Sequence, residues 1–149
     1  MKRLLTFATL LAALPLLPLP AQAGQSVAVG GYTQSAPSKT GAAIMFSTGA
    51  SIPAVPLEVQ GTLMQALTQG GGYAATAEVR GFTGGGYGGA YVGAGAGVGN
   101  LSADRTAGTV LTVFAGKSIA PLTSVELRLY KQTHDSGATA GFVGLRFSF

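Results

Sequence analysis

The chain has no cysteine, no tryptophan and a single histidine in 149 residues. Without cysteine there is no disulfide framework, no thiol nucleophile and no Cys-ligated zinc site. One histidine, His134, supplies no second imidazole for a metal centre. Charge is also scarce. Only 9% of residues are Asp, Glu, Lys or Arg, against roughly 25% in ordinary soluble domains. A water-facing surface is hard to assemble from so few charges. Disorder is excluded from the opposite side, because 47% of residues are hydrophobic and disordered chains are poor in them.

Long hydrophobic runs are missing too, except at the start. Lys2 and Arg3 precede an apolar stretch from Leu4 to Pro20, and Ala21-Gln22-Ala23 follows with small-x-small spacing. That order is the pattern of a secretory signal peptide cut after Ala23. Pro15, Pro18 and Pro20 argue against an N-terminal membrane anchor. Residues 1–23 are therefore expected to be a signal peptide and residues 24–149 the folded domain. Beyond residue 23 no run of about 18 apolar residues exists to form a membrane helix. The stretch from Gly84 to Gly99 carries glycines at every fourth position (Gly85, Gly89, Gly93, Gly97). It is too short and too glycine-dense for a stable helix, since each interior Gly costs about 1 kcal/mol relative to Ala.

What is present is alternation. Leu57, Val59, Leu63 and Leu67 oppose Glu58, Gln60 and Thr62. Tyr73, Ala75, Ala77 and Val79 oppose Thr76, Glu78 and Arg80. Val125, Leu127 and Leu129 oppose Glu126, Arg128 and Tyr130, and Val143, Leu145, Phe147 and Phe149 oppose Gly144, Arg146 and Ser148. Residues 42–52 set Ile44, Phe46 and Ile52 against Met45, Ser47 and Ser51. Such period-two patterns are strands with one apolar face. Weaker alternation covers residues 25–34, 87–98 and 109–117, the last with Leu111, Val113 and Ala115 outward and Phe114 inward. Turn-forming stretches separate these eight segments, among them Ala36 to Lys39, Pro53 to Pro56, Gln69 to Gly72, Gly84 to Gly86, Asn100 to Thr106, Ala120-Pro121 and His134 to Gly137.

Eight strands of about ten residues fit the domain, while ten strands would leave almost nothing for connections. The expectation is an all-β chain: an eight-stranded antiparallel up-and-down transmembrane β-barrel. The alternate connections one, three, five and seven are polar, with Lys39, Asp104, Arg105, Lys131, His134 and Asp135; the others are uncharged Pro- or Gly-rich turns. A soluble β-sandwich is the competitor, but it needs charged outer faces that this chain lacks. Closure also removes the exposed edges of such apolar strands.

The final stretch, Gly141-Phe142-Val143-Gly144-Leu145-Arg146-Phe147-Ser148-Phe149, resembles the last strand of bacterial outer-membrane β-barrels, which ends in an aromatic residue with apolar residues alternating back from it. With the signal peptide and eight strands, the chain resembles the small OmpA-type barrel class. The resemblance implies outer-membrane localisation among lipid. It also implies that Phe149, with Phe147, Leu145 and Val143, is the signal read by the barrel-assembly machinery. The aromatic belt usual in the class, lacking Trp, falls to Phe46, Tyr73, Tyr87, Phe147 and Phe149. No nucleic-acid partner is expected, because the positive residues form no cluster, and the protein is expected to be a monomer without cofactor or metal.

With apolar residues outward, the inward set contains Glu58, Glu78, Arg80, Glu126, Arg128 and Arg146, a neutral group of three acids and three bases. Opposite charges in a narrow interior should pair and close it, so that loss of Arg80 and Arg128 would open it. Strand-five glycines (Gly89, Gly93, Gly95, Gly97) are expected to make room for the arginines. His134-x-Ser136 loosely resembles the His-x-Ser of lipid A deacylases, but the following Asn of that family is Gly137 here and no Glu follows. A solvated turn is the better reading. The functional classes left are a structural or interaction barrel, a small pore and a lipid-active hydrolase, in that order; catalysis is not expected.

Overall fold

The computed structural model describes residues 23–35, 38–52, 54–68, 70–83, 89–102, 106–133 and 137–149. The eight strands run β1 (Ala23–Ser35), β2 (Ser38–Ser51), β3 (Leu57–Ala66), β4 (Gly71–Thr83), β5 (Ala90–Ser102), β6 (Gly108–Ala120), β7 (Thr123–Gln132) and β8 (Thr139–Ser148). Each pairs antiparallel with the next, and β8 pairs with β1, closing the sheet into a barrel. No helix among the described residues is long and apolar enough to cross a membrane. The expected signal peptide lies outside the described residues apart from Ala23, the first residue of β1.

Register fixes the shape. Following opposed residues from Gly24 through Gly49, Gln60, Glu78, Gly95, Thr112, Tyr130 and Ala140 returns the ladder to β1 at Gln34, a shear of ten residues. For eight strands that shear tilts each strand about 43° from the barrel axis. A ten-residue strand then rises about 24 Å, which matches the apolar band of about 25 Å on membrane barrels. The closing seam is tied at its end by Phe149, whose backbone N donates to Gln25 O at 2.9 Å and whose O accepts from Gln25 N at 3.2 Å.

The burial pattern is inverted relative to a soluble protein. Val92 is 60% exposed, whereas Glu126 and Arg128 are 0% exposed. Leu111, Val113, Leu127, Leu129 and Val143 also face outward. The expected phase of the ambiguous strand holds, with Phe114 inside and Leu111 and Val113 outside.

Strand ends differ from the sequence reading. Asn100 and Ser102 continue β5 instead of breaking it, because they pair with Tyr73 and Gly71 and because Leu101 is fully buried. Likewise Ser38 and Lys39 open β2, Gly71 and Gly72 open β4, and Lys131 lies within β7. The connections are therefore shorter than the sequence suggests. Among the described residues, two of them place a non-glycine residue in the left-handed region: Ala54 (φ 68°) between β2 and β3, and Leu122 (φ 57°) in the two-residue link after β6.

Candidate functional site

The barrel interior holds the polar chemistry of the chain. Along β3 the inward residues change from charged to polar to apolar: Glu58, Gln60, Thr62, Met64, Ala66. Among the described residues, buried inward charge also comes from β4 (Glu78, Arg80), β7 (Glu126, Arg128) and β8 (Arg146), all toward the same end, while β1, β2, β5 and β6 contribute none, so the interior has two layers. The half nearer the chain termini is ionic. The half nearer the opposite rim is mainly apolar, with Gln34 and Gln132 buried at its outermost level.

All six ionisable residues picked out above meet in the first layer. Arg80 donates from one nitrogen to both oxygens of Glu58, each at 2.8 Å. The other four join a closed ring with Gln60. Arg146 donates to Gln60 Oε1 at 2.8 Å, and Gln60 Nε2 donates to Glu78 Oε2 at 2.6 Å. Glu78 Oε1 accepts from Arg128, Arg128 Nε donates to Glu126 Oε1 at 3.0 Å, and Glu126 Oε2 accepts from Arg146 at 3.1 Å. Thr62 and Thr76 donate further hydrogen bonds to Glu78, and Ser47 and Thr62 share one at 3.0 Å. Every carboxylate in the layer thus has a cation or several donors beside it, the condition under which buried charge is tolerated.

Aromatic rings pack under the guanidinium groups. Arg128 lies 4.1 Å from the Phe114 ring centre. Arg80 sits between Phe82 at 4.8 Å and Tyr91 at 4.9 Å. Guanidinium–ring contacts of this kind strengthen when desolvated.

Gly93 of β5 and Gly116 of β6 serve these rings, and a Cβ at Gly97 would meet the β4 backbone at Ala75, which corrects the expectation that the β5 glycines Gly93, Gly95 and Gly97 accommodate arginine. Gly93 is opposed to Phe114 and Gly116 to Tyr91. A Cβ at Gly93 would overlap the Phe114 ring, and one at Gly116 the Tyr91 ring. Because Gly116 has no side chain, Tyr91 lies across β6 and its hydroxyl donates to Glu126 Oε2 on β7 at 2.8 Å. At Gly95 a Cβ would meet the Glu78 side chain.

The second layer contains Tyr32, Met45, Met64, Leu101, Val110, Tyr130 and Phe142, each at most 3% exposed. Tyr130 donates to Met45 Sδ at 3.2 Å, and Tyr32 to Leu101 O at 3.3 Å. Gln132 ties the rim, donating to Thr106 O at 2.9 Å and accepting from Leu101 N at 3.1 Å.

Sequence reasoning placed Gln60 and Thr62 on the inner face without giving them a role, and it missed Tyr91 as a partner of Glu126. The signal for Gln60 and Thr62 was their shared parity with Glu58 on β3, while Tyr91 had only its place on the glycine face of β5. The apolar layer was present as Met45 and Tyr130 on inward positions, but not as a layer.

The remaining candidates are spread over the outside. Val143, Leu145, Phe147 and Phe149 face outward along one line, Phe149 being 70% exposed. Tyr73, the third residue of β4, is exposed near the far end of the barrel. Phe46 is half-buried at mid-strand in β2. Tyr87, His134 and Ser136 lie outside the described residues. Among the described residues no cluster of His, Cys, Asp or Glu forms a metal site.

No protein-family model matches the chain, and no curated protein matches it. Solved structures do. Neisserial surface protein A superposes with a TM-score of 0.62 at 14% identity, over 87% of this chain and 98% of that one. The N-terminal β-barrel domain of Pseudomonas aeruginosa OprF gives 0.60 at 18% identity, over 86% and 98%. Ail, the attachment invasion locus protein of Yersinia pestis, gives 0.50 at 15% identity, over 86% and 99%. Together with the closed ladder, the inverted burial and the shear of ten, these likenesses identify the architecture: the chain has the all-β fold of the small eight-stranded antiparallel up-and-down transmembrane barrels of the bacterial outer membrane.

Proposed function

We propose that the protein is an integral outer-membrane barrel with a structural or interaction role, and that its interior is shut to ions. One observation carries the reading: a closed ring of charge pairs in one half of the interior is backed by an apolar layer in the other. An eight-stranded interior is about wide enough to be filled by side chains, and here both halves are occupied by side chains that are buried, Glu58 being the most exposed of the ring and its neighbours at 9%. A steady water path needs a continuous polar wall, and the second layer interrupts it.

The apolar layer changes one expectation. Removing Arg80 and Arg128 would open the ionic half alone and leave Met45, Met64 and Phe142 in place. Conductance should therefore rise only when both layers are truncated. Among the described residues each interior acid is engaged with an arginine, which supports a non-enzymatic role.

The same reading takes residues 1–23 as a cleaved Sec-type signal, the chain termini as periplasmic, and Phe149 with Phe147, Leu145 and Val143 as the assembly signal. Tyr73, Tyr87, Phe147 and Phe149 then stand as interfacial aromatics, while Phe46 faces the acyl chains. The partners are lipid and, during biogenesis, the assembly machinery, with the finished barrel a monomer. Reconstitution in a planar bilayer tests the closed interior: stable porin-like steps from the native protein would replace this reading with a small solute pore.

A further inference from the structure

We infer that the outer wall of the barrel carries a binding cleft for a phosphate-bearing membrane lipid, with Lys131 at the phosphate and the acyl chain laid over Gly141. The inference rests on the reading of the chain as a membrane barrel with its termini periplasmic, and it adds a specific lipid site to that surface.

The cleft has a volume of about 740 Å³ and is formed where β6, β7, β8 and β1 approach the rim opposite the termini. That size lies within the range of ligand clefts. Its upper end is polar: Lys131 is next to last in β7, Thr139 opens β8, and Ser35 closes β1. The Thr139 hydroxyl is hydrogen-bonded to Ser35 Oγ at 3.0 Å, and the Thr139 backbone N also donates to it at 3.0 Å, so the two hydroxyls are held together beside the lysine. Its lower end is apolar, lined by Leu111 and Leu129. Between them the floor is Gly141. A Cβ there would touch Thr33 Cγ2 at 3.4 Å and Leu129 Cδ2 at 3.7 Å, so the missing side chain leaves a channel between those two neighbours. A polar end at the rim and an apolar trough leading toward the membrane middle match an amphiphile standing in the bilayer.

Charge selects the headgroup. Glu58, Glu78 and Glu126 all lie inside the barrel, in the ring. The outward wall of the described residues therefore carries Lys117 near the periplasmic end and Lys131 at the other end, with no acid. A lysine near a membrane surface favours anionic lipid by a factor of about five. A phosphate ester within reach of Lys131 would also find the Ser35 and Thr139 hydroxyls, whereas a zwitterionic headgroup brings its own cation against the lysine. The occupant assigned is thus an anionic phospholipid, recognised by its phosphate and one acyl chain.

The lack of tryptophan in the chain makes the test clean. A single Leu127→Trp reporter sits on β7 four residues below Lys131, about 10 Å deeper along the axis, at the level of mid-chain carbons. Leu63→Trp on β3 is the matched control on the opposite wall. Both are reconstituted in phosphatidylcholine vesicles with one-tenth phosphatidic acid, the bromine quencher being carried on the chains of one lipid or the other. The expected result is that brominated phosphatidic acid quenches Leu127→Trp about fivefold beyond its mole fraction, and Leu63→Trp in proportion to it. Adding Lys131→Gln, or independently Gly141→Leu, returns the reporter to the proportional value, and inorganic phosphate does not displace the lipid. Proportional quenching of both tryptophans overturns the site. So does an excess that survives Lys131→Gln, and displacement by inorganic phosphate overturns the lipid as its occupant. Absence of quenching by either brominated lipid at either position overturns the membrane-barrel reading along with the site, and is thereby told apart from failure of the site alone.

Discussion

Arg128 on β7 donates to Glu78 on β4 across the barrel interior, and neither side chain has any exposed surface. The pair joins strands that are fifty residues apart in sequence and not neighbours in the sheet. Its partners are all internal: Glu126 on the same strand as Arg128, and Gln60, Thr62 and Thr76 around Glu78.

Removing the cation from such a pair leaves uncompensated negative charge in the interior. Arg128→Ala is expected to destabilise the barrel by about 3–5 kcal/mol, and Arg128→Lys by less, since it keeps the charge but loses the fork. Urea unfolding in lipid vesicles, followed by intrinsic tyrosine fluorescence, measures this. A loss under about 1 kcal/mol for Arg128→Ala would mean that the ring contributes little.

Close packing of rings against glycine gives an independent expectation. Gly116→Ala would force the Tyr91 ring off Glu126, and overpacking of this kind costs about 1–3 kcal/mol. Gly61→Ala, at an outward position with nothing within 4 Å of the new Cβ, should be neutral or mildly stabilising. Equal unfolding midpoints for the two variants would contradict the role given to Gly116.

Much of this was legible in the sequence, and the rest fails to show for identifiable reasons. Parity alone put Glu58, Glu78, Arg80, Glu126, Arg128 and Arg146 on the inner face, because a strand alternates strictly. The Glu58–Arg80 contact follows from hairpin register, since the two residues are directly opposed on β3 and β4. The Arg128–Glu78 and Arg146–Gln60 contacts do not, because they depend on the shear that closes the barrel, a property of all eight pairings together. Gln60 carries no charge to draw notice, yet it links Arg146 to Glu78. Asn100 to Ser102 looks like a breaker by composition, and tertiary burial of Leu101 keeps it in β5.

The C-terminal residue offers a test of assembly. Deleting Phe149 should lower the amount of folded barrel in the outer membrane several-fold, and Phe149→Tyr should restore most of it by keeping the terminal aromatic ring. Immunoblots of membrane fractions compare the three. Wild-type amounts of the deletion variant would remove Phe149 from the assembly signal.

Location and closure of the sheet are tested together by fractionation and gel migration. The protein should be recovered in the outer-membrane fraction and migrate faster unboiled than boiled, because a barrel without free edges resists detergent until heated. Recovery as a soluble periplasmic protein with no such shift would contradict both.

The central claim, an interior shut by two layers of different chemistry, is tested most directly by single-channel conductance in a planar bilayer. The native protein, and the Arg80→Ala/Arg128→Ala variant with its apolar layer intact, should show no steady current. Current should appear when Met45→Ala, Met64→Ala and Phe142→Ala are added to that variant, provided it still folds as judged by heat-shifted migration. Stable conductance steps from the native protein would contradict the claim, as would an open channel produced by the two arginine changes alone.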